Sequence, residues 1–335
     1  MRAVIVEKAG PWLSIQDPGR SGQTGIGLSR GGAADRRGYL EGLALLDQPL
    51  GQAVVECAGL GGAFRFTART RFSLSGAGMR ANLAGARVES HASHVAEAGE
   101  VLSVEAIENG VYGYVAFAGG IATEPEFGGR GFHKIGGFGT HLQSGASLPL
   151  GPDQHLDAPP AVCDLPSENG AIRVMPGPQT NLFQDATRRS FEDQTFKRSN
   201  RANRQGVGLD MDGIPFSTGA QLNQVSDFIT EGDIQMTGDG TPYVLLADCQ
   251  TIGGYPRIGT VLPGDLHRVA QAPLGAKLDF RFVSLEEAEG LWMSDQARLD
   301  ALKSMCRPRV RNPKEMADLL SYELVDRPPG EVNER

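Results

Sequence analysis

Residues 53–106 read AVVECAGLGGAFRFTARTRFSLSGAGMRANLAGARVESHASHVAEAGEVLSVEA, and this stretch decides the fold class. Short alternating segments, VVEC, AFRFTA, RFSLSG, ANLAGARVES and GEVLSVEA, are separated by Gly59, Gly61-Gly62, Gly76, Gly78, Gly85 and Gly99. Apolar and polar residues alternating over a few positions suit half-buried strands, and glycine every several residues supplies the turns between them, so the pattern predicts a sandwich or barrel. Glu56 stands alone inside one apolar segment, where it is either paired internally or part of a site. His91 and His94 have no third ligand nearby in sequence and are expected to be surface side chains.

Outward from this stretch the same grammar continues. Residues 113–120, GYVAFAGG, form a strand ending on a double glycine, and 243–261, YVLLADCQTIGGYPRIGTV, repeat that form more richly. Val244 to Ala247 suit a strand buried on both faces, and Asp248, Gln250 and Thr251 follow where it emerges. Gly253-Gly254 permits close approach of a ligand, and Pro256 holds Tyr255 extended. A carboxylate, an amide, a hydroxyl and a phenol are thereby offered together. Near the start, Ser14 to Arg20 (SIQDPGR) carries a strand into a Pro-Gly turn with Gln16, Asp17 and Arg20 on its rim, where Asp17 also suits a turn cap. Gly27-Leu28-Ser29-Arg30-Gly31 has the letters of a nucleophile elbow, but a helix does not follow at once and few strand-helix alternations surround it, so a glycine-rich loop is the better reading.

Asp35 is placed to cap an amphipathic helix reaching Leu46, with apolar residues at 39, 40, 43 and 46. Pro152, Pro159, Pro160 and Pro166 mark 150–170 as the linker between halves. Beyond it, Ile172 to Met175 begins a new strand, and a helix capped near Thr180 would bury Leu182, Phe183 and Ala186. Asn203-Arg204-Gln205-Gly206 presents a guanidinium suited to a carboxylate or phosphate. Ser284-Leu285-Glu286-Glu287 is a capping box opening a terminal helix with Leu285, Ala288, Leu291 and Trp292 on its apolar side. Domains are therefore expected at 1–160 and 161–290, both β-rich, with a helix and charged tail over 291–335.

Composition narrows the function. The chain has 335 residues, 45 of them glycine, with 32 Lys and Arg against 40 Asp and Glu, a net charge of −8. Without clustered cations it is not expected to bind nucleic acid. Four cysteines far apart make neither a zinc knuckle nor a disulfide framework, so no metal is expected and a reducing cytoplasm fits. The segment MRAVIVEKAGPW has no apolar leader core, and no stretch is long and apolar enough for a membrane span.

The string LADCQTIGGYPRIGTV resembles the D-R-Q-T-T-G-G-Y-P-K-I-x-T-V signature of the biotin-dependent carboxyltransferase family. That family includes the C subunit of 5-oxoprolinase, the antagonist of the sporulation kinase inhibitor KipI, allophanate hydrolase subunit 2 and the carboxyltransferase part of urea carboxylase. S-I-Q-D-P-G-R-S-G is similar to the family's T-V-Q-D-x-G-R-x-G, and Gly32-Ala33-Ala34-Asp35 to its G-A-x-D. Cys249 replaces an arginine of the signature, and Gly129 and Gly131 replace serines. The resemblance implies a mainly β protein of two cyclophilin-like barrel domains with a few short helices. It implies a subunit of an ATP-dependent 5-oxoprolinase, inactive alone, working with subunits A and B. The alternatives are biotin-dependent carboxyl transfer to a urea-like amide, or non-catalytic binding of a KipI-like protein. Catalysis would fall to Asp248, Tyr255 and Gln250, and binding of a small cyclic or urea-like amide to Thr251, Gly253, Gly254, Pro256, Asn203, Arg204, Gln16, Asp17 and Arg20. No P-loop motif occurs, so ATP used by the complex would bind in a different manner or elsewhere in it, and without a Met-Lys-Met site biotin would arrive on another chain.

Overall fold

The computed structural model describes residues 2–139, 141–216 and 225–309. Among these residues the chain is mainly β, built on an eleven-stranded and an eight-stranded sheet. Two long strands, Thr70–Leu83 and Val101–Phe117, pair antiparallel along most of their length and form the spine of the first sheet. The register slips between Gly76 and Gly78, where residues 109–112 of the partner strand stand against Ala77 alone, an irregularity that bends the pair and lets the sheet curl. Val54–Ala58 pairs on one side with Leu13–Gln16 and on the other with Val101–Phe117, which fixes Glu56 opposite Ser14 and Tyr114. The second sheet runs from Lys277–Leu278 through the hairpin Phe196–Asn203 and Gly206–Asp210 to Phe280–Phe282, and Pro242–Leu245 lies beside the hairpin. Ala161–Cys163, within the proline-rich segment, joins the first sheet and pairs with Cys306–Pro308.

The helix Arg36–Ala44 begins where the sequence places it, with the Asp35 carboxylate accepting from the Gly38 N–H at 2.9 Å. It lies unusually close to the spine strands. A Cβ at Gly38 would come within 2.6 Å of the Gly76 Cα, and one at Gly42 within 2.8 Å of the Ser75 Oγ. Those two glycines, four apart and so on one face, are what allow the approach. Leu40 and Leu43 then join a core that runs through Tyr114 into the second sheet, to Phe196 and Val244, and takes in Leu299 of a later helix. The first sheet has its own core of Phe64, Phe66, Phe72, Leu102 and Phe117. The helix is thus shared packing between the two sheets, and the space beside its amino end is where they meet.

Three expectations need correction. His94 is buried, its ring 5.3 Å from that of Phe72, with its Nε2 donating to the Glu89 carbonyl. The segment after Gln179 forms only a 3-10 turn, Thr180–Leu182, because the Thr180 hydroxyl is drawn into the fold, accepting from the Gly177 N–H and donating to the Ile258 carbonyl. The helix proper is Asp185–Asp193, anchored by Phe191 rather than by the exposed Leu182. Ser284 caps its helix by accepting from the Glu287 N–H, but the helix stops at Gly290, and of the expected apolar side only Ala288 is buried, while Leu285, Leu291 and Trp292 are exposed. A separate helix, Asp295–Met305, is capped by Ser294. Of the 291–335 segment, residues 310–335 lie outside the described residues. Among the described residues no helix is long and apolar enough to cross a membrane.

Phe191 sits among Phe196, Phe216, Phe280 and Phe282, with ring centroids 5.0 to 6.2 Å away. Truncation there empties a fully buried aromatic site. Phe191→Ala is expected to cost about 3–5 kcal/mol in urea unfolding, and a loss below about 1 kcal/mol would mean the cluster repacks freely.

Candidate functional site

Arg204 organises the junction between the sheets. It rides the tight turn of the Phe196–Asn203 hairpin, where the Asn203 carboxamide oxygen accepts from the Gln205 N–H at 2.7 Å. From there its Nε and Nη2 donate to the two oxygens of Asp248 at 2.8 and 2.9 Å, a bidentate pair. Nη1 donates to Glu56 at 2.5 Å and Nη2 also to the Gly32 carbonyl at 2.6 Å. The second Glu56 oxygen accepts from the Ala34 N–H at 2.9 Å and the Tyr114 hydroxyl at 2.8 Å. Burial works against the guanidinium charge, but the Glu56 and Asp248 carboxylates outweigh it and hold the Arg204 pKa well above its ordinary value. Glu56 is therefore paired internally, and Arg204 has three ligands from the protein itself.

The glycine-rich loop before Asp35 docks against this cluster, the Gly31 N–H donating to the Ala247 carbonyl at 3.0 Å. Gly31 has φ of 62°, and a Cβ there would stand 2.7 Å from the His133 ring and 3.6 Å from the Asp248 carboxylate. Ser29 Oγ lies 2.9 Å from His133 Nε2, while His133 Nδ1 accepts from the Gly136 N–H at 2.9 Å. An Nδ1 that accepts leaves the proton on Nε2, so the imidazole donates to Ser29. This orientation is opposite to that of a base activating a nucleophile, which needs a bare Nε2 facing the hydroxyl. Instead Ser29 keeps its own O–H free to donate to a ligand. Burial, aided by the positive charges of Arg20 and Arg204 and opposed by Asp248, lowers the His133 pKa and favours the neutral ring.

The turn after Leu13–Gln16 is held from within. Asp17 accepts from the Gly19 N–H at 2.9 Å and the Arg130 N–H at 2.5 Å, while Gln16 Nε2 donates to Ser14 and to the Phe132 carbonyl. Arg20 is only 1% exposed, stacks over Phe138 at 5.0 Å, and donates Nε to the Glu126 carbonyl and Nη2 to that of Gly129. Its Nη1 is buried without a partner among the described residues, as is Gln16 Oε1.

Two cavities flank the turn at 249–251. The smaller, about 320 Å³, lies between Ser29, His133, Gly136, Gln250 and Thr251. The larger, about 760 Å³, shares Ser29, Cys249 and Thr251 with it and extends past Arg20 to Arg36 and Arg298. Thr251 is buried and Gln250 exposed, so the turn presents a fixed hydroxyl and a movable amide. Cys249, in place of the signature arginine, packs with Ile229 and Leu245, and burial pushes its thiol up to about 12. Gly253 pairs in a short ladder with Asp227, Gly254 follows it, and the Pro256 carbonyl accepts from Met236 N–H at 2.8 Å. Those three, with Asn203 and the 46% exposed Tyr255, line neither cavity. Ser29 and His133 are the site residues that sequence reading missed; the glycines spaced around both, at 27, 31, 136 and 137, were the signal. Among the described residues no three His, Cys, Asp or Glu side chains are placed to hold a metal ion.

Two measurements check this geometry. Arg204→Met leaves the buried Glu56 and Asp248 carboxylates uncompensated and is expected to cost about 3–5 kcal/mol of stability by denaturant titration, whereas a cost under about 1 kcal/mol would deny the ion cluster its structural weight. His133 should titrate below 6.5 when followed by NMR. Because the unfolded chain then takes up the proton more readily, this group's contribution is intact above pH about 6.5 and is lost as pH falls below it. A His133 pKa at or above 6.5 would contradict the neutral Nε2–H donor.

The comparisons with known proteins converge on one family. The model described as "Carboxyltransferase domain, subdomain A and B" matches residues 26–282. The chain is 31% identical over 294 residues to the C subunit of 5-oxoprolinase from Escherichia coli (strain K12), covering 84% of this chain and 91% of that one. It is 28% identical to the protein of the same name from Haemophilus influenzae, covering 94% of its length. Among solved structures it matches TTHA0988 with a TM-score of 0.75 at 28% identity, spanning 84% of this chain but only 56% of that one. It matches the K. lactis urea amidolyase with a TM-score of 0.79 at 23% identity, a likeness of fold over 21% of that chain. The resemblance read from residues 14–22 and 246–261 is therefore membership: the chain belongs to the carboxyltransferase domain family, subdomains A and B.

Proposed function

We propose that this chain is the C-type subunit of an ATP-dependent 5-oxoprolinase, opening the ring of 5-oxo-L-proline to L-glutamate together with partner subunits A and B. The carrying observation is that two relatives named as the C subunit of 5-oxoprolinase are matched across 91% and 94% of their own lengths. The urea carboxylase reading has thinner support, since a relative named putative urea carboxylase is matched over only 25% of its length and two named urea amidolyase over 18% and 19% of theirs. The residues favour a small amide. A five-membered lactam offers a carbonyl, an N–H and a carboxylate, and the smaller cavity faces it with the Ser29 O–H, the Gln250 amide and the Thr251 hydroxyl. In this reading Ser29 donates to the ring carbonyl, held in that role by the proton on His133 Nε2. Thr251 accepts from the ring N–H, and the exposed Gln250 amide N–H donates to the carboxylate.

Asp248 and Arg204 brace the turn that carries Gln250 and Thr251, acting through it rather than on the substrate. Tyr255, half-exposed beyond the cavity, meets a partner protein there. The chain has no phosphate-cradling glycine loop with its Lys, so in this proposal ATP is bound and spent on a partner, activating the amide for hydrolysis. The four free thiols suit a cytoplasmic setting.

The test is to co-purify the chain with its partner subunits and assay ATP-dependent glutamate release from 5-oxoproline. Ser29→Ala and Thr251→Val should each lower kcat/KM by about 5- to 150-fold, the worth of roughly 1–3 kcal/mol of transition-state hydrogen bonding, with the thermal midpoint little changed. Undiminished turnover in both would remove these hydroxyls from the reaction. Activity only on urea-like amides, with a biotin-bearing partner, would favour the alternative.

A further inference from the structure

Cys163 and Cys306 face each other directly across the two strands Ala161–Cys163 and Cys306–Pro308. The hydrogen bonds define the kind of pair. The Arg309 N–H donates to the Pro160 carbonyl at 2.8 Å, which brackets Ala161 and Pro308 as a non-hydrogen-bonded pair. Alternation along the ladder makes Cys163 and Cys306 a second such pair, and the Cys163 N–H accordingly points away, to the His91 carbonyl at 3.0 Å. Non-hydrogen-bonded partners have Cα atoms about 4.5 Å apart with their side chains drawn together, inside the range a disulfide can bridge. The other two cysteines lack this arrangement: Cys57 is opposite Leu13 and Gly113, and Cys249 lies among Ile229 and Leu245.

We propose that Cys163 and Cys306 are an oxidation site, closing reversibly to a cross-strand disulfide on exposure to hydrogen peroxide. Cys306 is the half-exposed partner and Cys163 the buried one. The interaction between the two neighbouring thiols lowers the Cys306 pKa against the opposing effect of burial and raises that of Cys163. Thiolate character and access therefore both select Cys306 as the attacking sulfur. Its thiolate attacks one peroxide oxygen, the O–O bond breaks, and a sulfenic acid and one water result. Cys163 then attacks the Cys306 sulfur, the S–S bond forms, and the sulfenic oxygen leaves as a second water with the Cys163 proton. Two electrons pass from the thiols to peroxide, and a dithiol returns them.

The bond has a structural consequence. Cys306 ends the helix Asp295–Met305, whose Asp295 pairs with Arg36 and whose Arg298 lines the larger cavity. Closing the disulfide fastens that wall of the cavity to the first sheet. The link encloses all eight strands of the second sheet in one covalent loop, which restricts the unfolded chain.

The test uses the full chain treated with hydrogen peroxide, then mapped by mass spectrometry without reduction. The expected result is a peptide joining Cys163 to Cys306, a fall from four titratable thiols to two, and a thermal midpoint raised by several degrees and restored by dithiothreitol. Cys163→Ser should leave Cys306 to pass on to sulfinic acid, and Cys306→Ser should abolish the linked peptide. Four surviving thiols, a link through Cys57 or Cys249, or sulfinic acid at Cys306 beside a free Cys163 in the unsubstituted chain would each overturn the proposal.

Discussion

One largely buried guanidinium joins the two sheets. Arg204 reaches from a hairpin turn of the second sheet to Glu56, in the middle of a first-sheet strand, and to Asp248, at the end of its own sheet's central strand. Such a cluster adds little net stability compared with an apolar core of the same shape, because each charge must first be stripped of water. Its value is directional. A planar fork with fixed donors accepts one arrangement of two carboxylates, and everything attached to them inherits that geometry. Through Glu56 the arrangement passes to the Tyr114 hydroxyl and the Ala34 N–H, and from Tyr114 to the Asp35 N–H at 2.8 Å. Asp35 in turn caps the shared helix and accepts from Gln271, whose carboxamide also binds both backbone groups of Tyr112. A second polar tie between the halves thus ends on the same helix.

The same clamp sets the chemistry at the turn beyond Asp248. With the carboxylate spoken for, the polar side chains of the turn that reach the smaller cavity are Gln250 and Thr251, and they face Ser29 across it, while the missing Cβ of Gly31 lets the His133 ring pack close. The proton on His133 Nε2 decides what Ser29 does there. A serine that accepts from a histidine and still has its own hydrogen is a donor to a carbonyl, which suits polarising an amide without forming a bond to it. The elbow-like letters around Ser29 describe a different device.

Local features were legible in the sequence because short-range physics fixes them. The glycine-punctuated alternation marked the strands of the first sheet, Asp35 and Ser284 cap the helices they were expected to cap, and the turn at Asp17 is closed by its own carboxylate. Pairings over long sequence separations were not legible. Glu56 and Arg204 are 148 positions apart, and Ser29 and His133 are 104 apart. No local pattern marks such partners, since alternation shows which face a side chain takes but not which strand lies across from it. Gly38 and Gly42 also carried more than helix propensity reveals, because their purpose is the close packing of the helix on Gly76 and Ser75. The departure at Cys249 becomes intelligible only once its apolar neighbours are in view.

The central claim is that Glu56 and Arg204 act as one unit that holds the two sheets in register, and a double-mutant cycle measures this most directly. Stability would be determined for the unsubstituted chain, Glu56→Gln, Arg204→Met and the pair together. The account predicts a coupling energy of at least about 2 kcal/mol, the double variant being far less damaged than the sum of the single ones. Additive effects, agreeing within about 0.5 kcal/mol, would contradict it.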